Sequence, residues 1–140
     1  MITRRLRALR FARLALPLLG VALLLPAAAF SQSTKADTAG IQGTWRVDAA
    51  SVTGNGPREV IIRADSSASW GKETVRWRLP ESGKIMIALG GEWETYRMKL
   101  KGAKLTLSGG DLSEPITLKR TGPATPRPAD IPIPPDPDTQ

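Results

Sequence analysis

The chain has 140 residues, with 20 lysines and arginines against 13 acidic residues, 12 prolines, and neither cysteine nor histidine. Its length allows one folded domain, since a domain usually takes about 100–150 residues. The missing cysteine excludes disulfides, thiol nucleophiles and cysteine-bound zinc, and the missing histidine excludes Ser-His triads and imidazole acid–base chemistry. The formal charge of +7 would favour a polyanionic partner only if it belonged to the folded part of the chain.

An arginine-rich segment opens the chain. Residues 1–13 carry five arginines and no acid, and an apolar run follows over residues 14–30. This order is typical of a signal peptide, so residues 1–30 are predicted to be removed on export, with cleavage after Ala29 or after Ser31. A retained membrane anchor is the alternative. A spanning helix needs about 20 apolar residues, however, and two prolines interrupt this shorter run.

Removal of the leader takes away most of the chain's net positive charge. Without its five arginines, 15 basic and 13 acidic residues remain, so most of the basic excess serves targeting. The mature protein is therefore predicted to be exported, periplasmic or secreted, with no membrane span after signal cleavage and no nucleic-acid partner.

Proline dominates the other end of the chain. Seven of the 12 prolines lie in residues 123–140, a density that prevents sheet pairing and favours extended polyproline II structure. This segment is predicted to be a disordered, solvated tail, and residues 127–132 within it are alternatively a docking peptide for an aromatic groove. Residues 31–40 form a polar lead-in, so the fold is predicted to lie in residues 41–122.

Between these ends, apolar residues recur at every second position. The clearest run spans residues 74–79, whose odd-numbered members are apolar and whose even-numbered members are polar. Such alternation is typical of a strand with one buried face. Similar runs occur at residues 44–47, 60–62, 67–70, 84–89, 94–100, 105–107 and 116–118.

No run has the period and length of a helix that would cover the sheet, so the sheet must close on itself to bury its apolar face. The sequence therefore predicts an all-β fold, a small antiparallel up-and-down meander closed into a barrel of about eight short strands, with disordered termini.

Two short segments of the chain resemble those of a known protein family. Residues 43–45, Gly-Thr-Trp, and residues 118–120, Leu-Lys-Arg, flank the meander and resemble the short bacterial secreted lipocalin-like (calycin-type) β-barrel domains. The resemblance implies that Trp45 closes the barrel floor and that Arg120 or Lys119 packs across its ring, a cation–π contact of about 1 kcal/mol. Gly-Thr-Trp also opens the avidin family, but the residues after Trp45 do not match its biotin-contacting sequence, so biotin binding is not expected.

The barrel is predicted to be filled rather than hollow. Typical lipocalins use roughly twice this length to enclose a ligand cup, whereas eight short strands leave an interior barely wide enough for side chains. Trp45, Trp70, Trp77, Trp93 and Tyr96 are available to fill it. The position of Trp93 has the opposite parity to that of Tyr96, so Trp93 either lies next to a bulge or faces outward.

The carboxylates give no catalytic pattern. Asp65, Glu73, Glu92, Glu94 and Asp111 have neither the spacing of a glycosidase pair nor that of an oxygen-ligand metal loop, and they are interpreted as solvated residues. No catalytic, cofactor-binding or metal-binding residue is assigned, and the protein is expected not to be an enzyme.

The outward-facing cations indicate a possible binding surface. If residues 84–89 pair with residues 74–79 and 94–100, five cations share one outer surface, here called the basic face: Arg76, Arg78, Lys84, Arg97 and Lys99. This face has the chemistry to bind an anionic envelope polymer, a phospholipid headgroup or an acidic protein. The alternative is that these are ordinary solubilising residues of exposed strands.

The function expected from these features is that of an exported, non-enzymatic, lipocalin-like binding or envelope-accessory module whose specific role stays open, with an anionic envelope component or a small apolar ligand as candidate partners. The first alternative is a carrier of a small apolar ligand, which requires a pocket inside the barrel. The second is a periplasmic protease inhibitor that inserts residues 32–40 into a protease cleft, as small exported bacterial barrels that resemble this design do.

Overall fold

A computed structural model describes residues 38–51 and 54–140. In it the chain forms a closed barrel of eight antiparallel strands. Each strand pairs with the next one in the chain, and the last pairs with the first, which closes the barrel. The strands are β1 (Gly43–Val47), β2 (Glu59–Ile62), β3 (Ser67–Trp70), β4 (Glu73–Arg78), β5 (Lys84–Leu89), β6 (Glu92–Lys101), β7 (Lys104–Gly109) and β8 (Ile116–Gly122). The predicted all-β meander is confirmed.

Helical structure is confined to short segments of the described chain. Residues 38–41 form a helical turn before β1, and two 3-10 turns occur at Ala49–Ser51 and Pro137–Thr139. Within the described ranges no helix is long and apolar enough to cross a membrane. The predicted signal peptide and most of the polar lead-in lie outside the described residues.

Residue alternation sends one face of every strand into the barrel. On β4, Val75 and Trp77 are buried, while Arg76 and Arg78 point outward and are half-buried. The same pattern on the other strands builds one continuous core, and burial of these apolar surfaces is the main force that holds the barrel closed. Leu79 lies just beyond β4 and still packs against this core, as predicted for its face.

Two glycines make close approaches that leave little room for a side chain. A Cβ on Gly110, which has φ 56°, would lie 2.5 Å from Cε1 of Tyr96. A Cβ on Gly43, with φ 153°, would lie 3.2 Å from the Gly122 carbonyl oxygen and 3.3 Å from Nη1 of Arg120. The glycine of the Gly-Thr-Trp segment is thus needed where β1, β8 and the Arg120 side chain converge.

The prediction of a disordered C-terminal tail is not confirmed. Residues 123–140, here called the strap, run from the end of β8 across the outer surface of β1 to β4. Thr44 donates a hydrogen bond to the Pro123 carbonyl (2.8 Å), and Arg63 donates one to the Thr125 carbonyl (2.7 Å). Proline prevents the strap from pairing as a strand, but barrel side chains reach its carbonyl groups and hold it in place.

Candidate functional site

One end of the barrel is closed by Trp45 and Arg120. The Trp45 side chain is fully buried, and its Nε1 donates a hydrogen bond to the Ile41 carbonyl (2.8 Å). The Arg120 guanidinium lies 4.6 Å from the centroid of the Trp45 ring. Its Nη1 donates to the Gln42 carbonyl (2.9 Å) and its Nη2 to the Gly40 carbonyl. Arg120 therefore fastens the helical turn of residues 38–41 across the barrel end.

Lys119, the other basic residue considered for this position, faces away from the indole. Its Nζ forms an ion pair with the Asp48 carboxylate (3.0 Å). The hydrogen bond and charge of Lys119 lower the pKa of Asp48. The structure thus brings Arg120, and not Lys119, against Trp45.

The barrel interior is packed with large side chains whose polar atoms are paired. Trp45 and Tyr96 are fully buried, and Trp77 is nearly so. Trp77 Nε1 donates to the Arg63 carbonyl (2.9 Å), and the Tyr96 hydroxyl donates to the Asp111 carboxylate (2.5 Å). Burial, followed by this hydrogen bond, raises the pKa of Tyr96 well above its ordinary value. These side chains occupy the space that a ligand carrier would keep open.

The opposite end of the barrel is partly covered by a loop. Asn55 donates a hydrogen bond to the Asp111 carbonyl (2.7 Å) and accepts one from the Ser113 amide (2.8 Å). A surface pocket of about 440 Å³ lies beside this loop, against Trp70 and Leu89. Trp70 also contacts Tyr96, with ring centroids 5.1 Å apart. Among the described residues, no group of three or more acidic side chains is placed to hold a metal ion.

The basic face is divided by the strap into two parts. The first part is Arg76 and Arg78 on β4, which are already engaged. Arg76 Nε donates to the Pro134 carbonyl (3.0 Å), and Arg78 Nη1 forms an ion pair with the Asp138 carboxylate (2.8 Å). Sequence reasoning placed these arginines on the correct surface but missed their occupant, because the strap's composition predicts disorder.

The second part of the basic face is an open groove across β5, β6 and β7. Strand pairing sets Lys84 beside Arg97, Arg97 beside Ser108, and Lys99 beside Thr106. These five residues line a groove of about 490 Å³. Lys84 Nζ forms an ion pair with Glu81 (2.6 Å), whereas Arg97 and Lys99 form no ion pair with any residue that the structure describes. The groove therefore presents two uncompensated cations next to two hydroxyl groups.

Trp93 faces outward, which is one of the two predicted outcomes. It pairs with Ala88 of β5, and the Arg78 guanidinium lies 4.1 Å from its ring centroid. Its side chain is half-buried, and its Nε1 is fully buried with no hydrogen-bond partner in the described chain. The parity of Trp93 relative to Tyr96 was the signal for this position, although nothing local indicated the arginine above it.

Arg63 is a buried cation that sequence reasoning missed. Its side chain is only 5% exposed, and besides the Thr125 carbonyl it donates to the Ser69 hydroxyl (2.8 Å). Burial lowers the pKa of Arg63, and the neighbouring Asp65 carboxylate opposes that shift. For Asp65 itself, burial would raise the pKa, but hydrogen bonds from Ser67 and the charge of Arg127 together lower it. Arg63 thus serves as an anchor for the strap.

No protein-family model, curated protein or solved structure matches this chain. The class of the protein therefore rests on its own geometry, a closed eight-stranded antiparallel up-and-down barrel. This architecture is compatible with a calycin-type barrel.

Proposed function

We propose that the protein is an exported, non-enzymatic, lipocalin-like module of the short bacterial type, and that it binds an anionic envelope component in the groove of β5 to β7. Export is supported by the arginine-rich leader followed by an apolar run in residues 1–30. The lipocalin-like assignment is supported by the Gly-Thr-Trp segment and by the Arg120 guanidinium stacked on Trp45.

The observation that carries the binding proposal is the pair of uncompensated cations in the groove. Arg97 and Lys99 alternate with inward residues on β6, so both point to the same outer side. Ser108 and Thr106 lie directly opposite on β7 and add hydroxyl donors. Cations with adjacent hydroxyls suit a phosphate or carboxylate group, which accepts several hydrogen bonds at once.

The same geometry sets the expected strength of binding. Arg97 and Lys99 are exposed, so water and salt weaken their attraction for an anion. Binding is therefore expected to be weak for a single anionic group, strongly salt-dependent, and stronger for a surface or polymer that presents many such groups.

Because the interior of the barrel is packed with side chains, the groove is better supported as a binding site than the inside of the barrel. The segment invoked for protease inhibition, residues 32–40, lies outside the described residues except for its last three. Those three belong to the helical turn that Arg120 fastens to the barrel. The binding site is therefore proposed in the groove.

Retention on a phosphate-bearing matrix tests this proposal. The double variant R97E/K99E removes the groove cations, and R58E/K72E changes the net charge equally at two exposed residues outside the groove. We expect the wild-type protein and R58E/K72E to be retained at low salt, and R97E/K99E to elute at clearly lower salt than R58E/K72E. Identical elution of the two double variants would show that only net charge matters and would overturn the proposal.

A further inference from the structure

A second pocket lies between the strap and the turn that joins β2 to β3, and it is here called the strap pocket. Its volume is about 470 Å³, and it shares no lining residue with the groove of β5 to β7. The turn contributes residues 63–65, the strap contributes residues 124–127, and Gln42 completes the lining. The strap pocket is therefore a site separate from the groove.

Arg63, which lines the strap pocket, is a buried cation without an anionic partner. Its Nε and Nη2 donate to the Thr125 carbonyl and the Ser69 hydroxyl, and both of these acceptors are neutral. Its Nη1 is buried with no hydrogen-bond partner, and Arg63 forms no ion pair with any residue that the structure describes. Buried charges in proteins are usually paired with an opposite charge. An unpaired, buried guanidinium beside a pocket therefore indicates a place for an anion.

Arg127 brings a second positive charge to the strap pocket. Its Nε forms an ion pair with Asp65 (3.3 Å) and its Nη1 donates to the Ile131 carbonyl, whereas its Nη2 has no hydrogen bond to any described residue. Burial lowers the pKa of Arg63, the Asp65 carboxylate opposes that shift, and the like charge of Arg127 adds to it. Two guanidinium groups and one carboxylate leave the strap pocket with one positive charge that no lining residue neutralises.

The rest of the lining indicates what kind of anion fits. Ala64, Ala124 and Pro126 give the strap pocket apolar walls, and Gln42 adds a neutral amide. The volume of the pocket lies in the range of sites that hold small organic molecules. A guanidinium group matches the two oxygens of a carboxylate, and a single carboxylate would neutralise the single excess charge. These features together favour a monocarboxylate with an apolar body over an inorganic anion.

We propose that the strap pocket binds a small organic carboxylate, with Arg63 and Arg127 facing its carboxylate group and Ala64, Ala124 and Pro126 contacting its apolar body. The site exists only while the strap lies on the barrel, because four of its eight lining residues belong to the strap. Binding of the carboxylate therefore stabilises the docked strap.

Titration of the unaltered protein with benzoate tests this proposal, and benzamide is the control because it has nearly the same shape and no charge. The readout is the set of backbone amide shifts of Ala64 and Thr125 in a 1H–15N spectrum. We expect benzoate to shift both resonances in a saturable way, and benzamide to leave them in place. Inorganic phosphate, which cannot use the apolar walls, should need a concentration at least about tenfold higher than benzoate.

A matched pair of variants tests the role of Arg127. R127Q should raise the half-saturation concentration of benzoate about tenfold, the effect of losing one charge-assisted hydrogen bond. R58Q removes the same charge at an exposed residue outside the pocket and should change it less than about twofold. If R127Q loosens the strap, the comparison of benzoate with benzamide still decides, since it uses the unaltered protein.

Three results would overturn the proposal. The first is a benzoate response that is absent at Ala64 and Thr125, or present only at the groove residues Arg97 and Lys99. The second is equal binding of benzoate and benzamide, and the third is phosphate binding as tight as that of benzoate. None of these results bears on anion binding in the groove, which is formed by other residues.

Discussion

Replacing Arg120 by methionine tests how the barrel end is closed. The change removes hydrogen bonds to the Gln42 and Gly40 carbonyls and the contact with the Trp45 ring, while keeping a long side chain. At this exposed position water replaces part of each hydrogen bond, so each contributes about 0.5–1 kcal/mol. The cation–π contact adds about 0.5–1 kcal/mol.

Together these losses predict that R120M lowers the free energy of unfolding by about 2 kcal/mol. For a domain of this size that corresponds to a fall in melting temperature of about 8–16 °C. Urea unfolding followed by tryptophan fluorescence measures the change, because Trp45 and Trp77 are buried in the folded barrel and become exposed on unfolding. R120K should lie between R120M and the wild-type protein, since lysine keeps the charge and loses the forked geometry.

The matched control is K119M, one residue earlier on β8. Lys119 faces outward and its ion pair with Asp48 is largely exposed, so we expect a much smaller effect than for R120M. If R120M changed stability by less than about 0.5 kcal/mol, as an ordinary surface substitution does, the account of barrel closure would be refuted. Equal effects of K119M and R120M would refute it too.

Two other features of the barrel lead to direct tests. G110A should lower the free energy of unfolding by about 2–4 kcal/mol, because its Cβ would strike the buried Tyr96 ring and the residue has positive φ. G102A has a similar φ of 60° and open space around it, so it should cost only about 1–2 kcal/mol in urea unfolding, and equal costs would contradict the predicted clash. Tyr96 is the chain's single tyrosine, so absorbance at alkaline pH reports it alone. Its raised pKa means that the native fold is stabilised below pH about 10 and loses that stability above it, and ionisation near pH 10 without unfolding would contradict its burial.

The alternation of residues was enough to predict the barrel. Val75 and Trp77 share a face because strand side chains alternate, and that face had to be buried because no helix was available to cover it. The same parity set Arg97 beside Lys84 on the outside, so most of the groove was predictable once the order of the strands was assumed.

The strap could not be predicted in this way. Its prolines exclude strand pairing, and composition alone does not distinguish a free tail from one held through its carbonyl groups. What holds it are Arg63, Arg76 and Arg78, which lie about 60 residues earlier in the chain. Their roles appear only when the closed barrel brings them under the strap. The burial of Arg63 has the same cause and left no local signal in the sequence.

Backbone amide shifts during a titration with inorganic pyrophosphate show where the protein binds an anion. The probe is a free phosphate-type anion, and the 1H–15N spectrum reports every strand at once. We expect the largest salt-sensitive shifts at Arg97, Lys99, Thr106 and Ser108, which line the groove together. Shifts of equal size at Arg58 and Lys72, or none in the groove, would contradict the claim that this protein binds anions there.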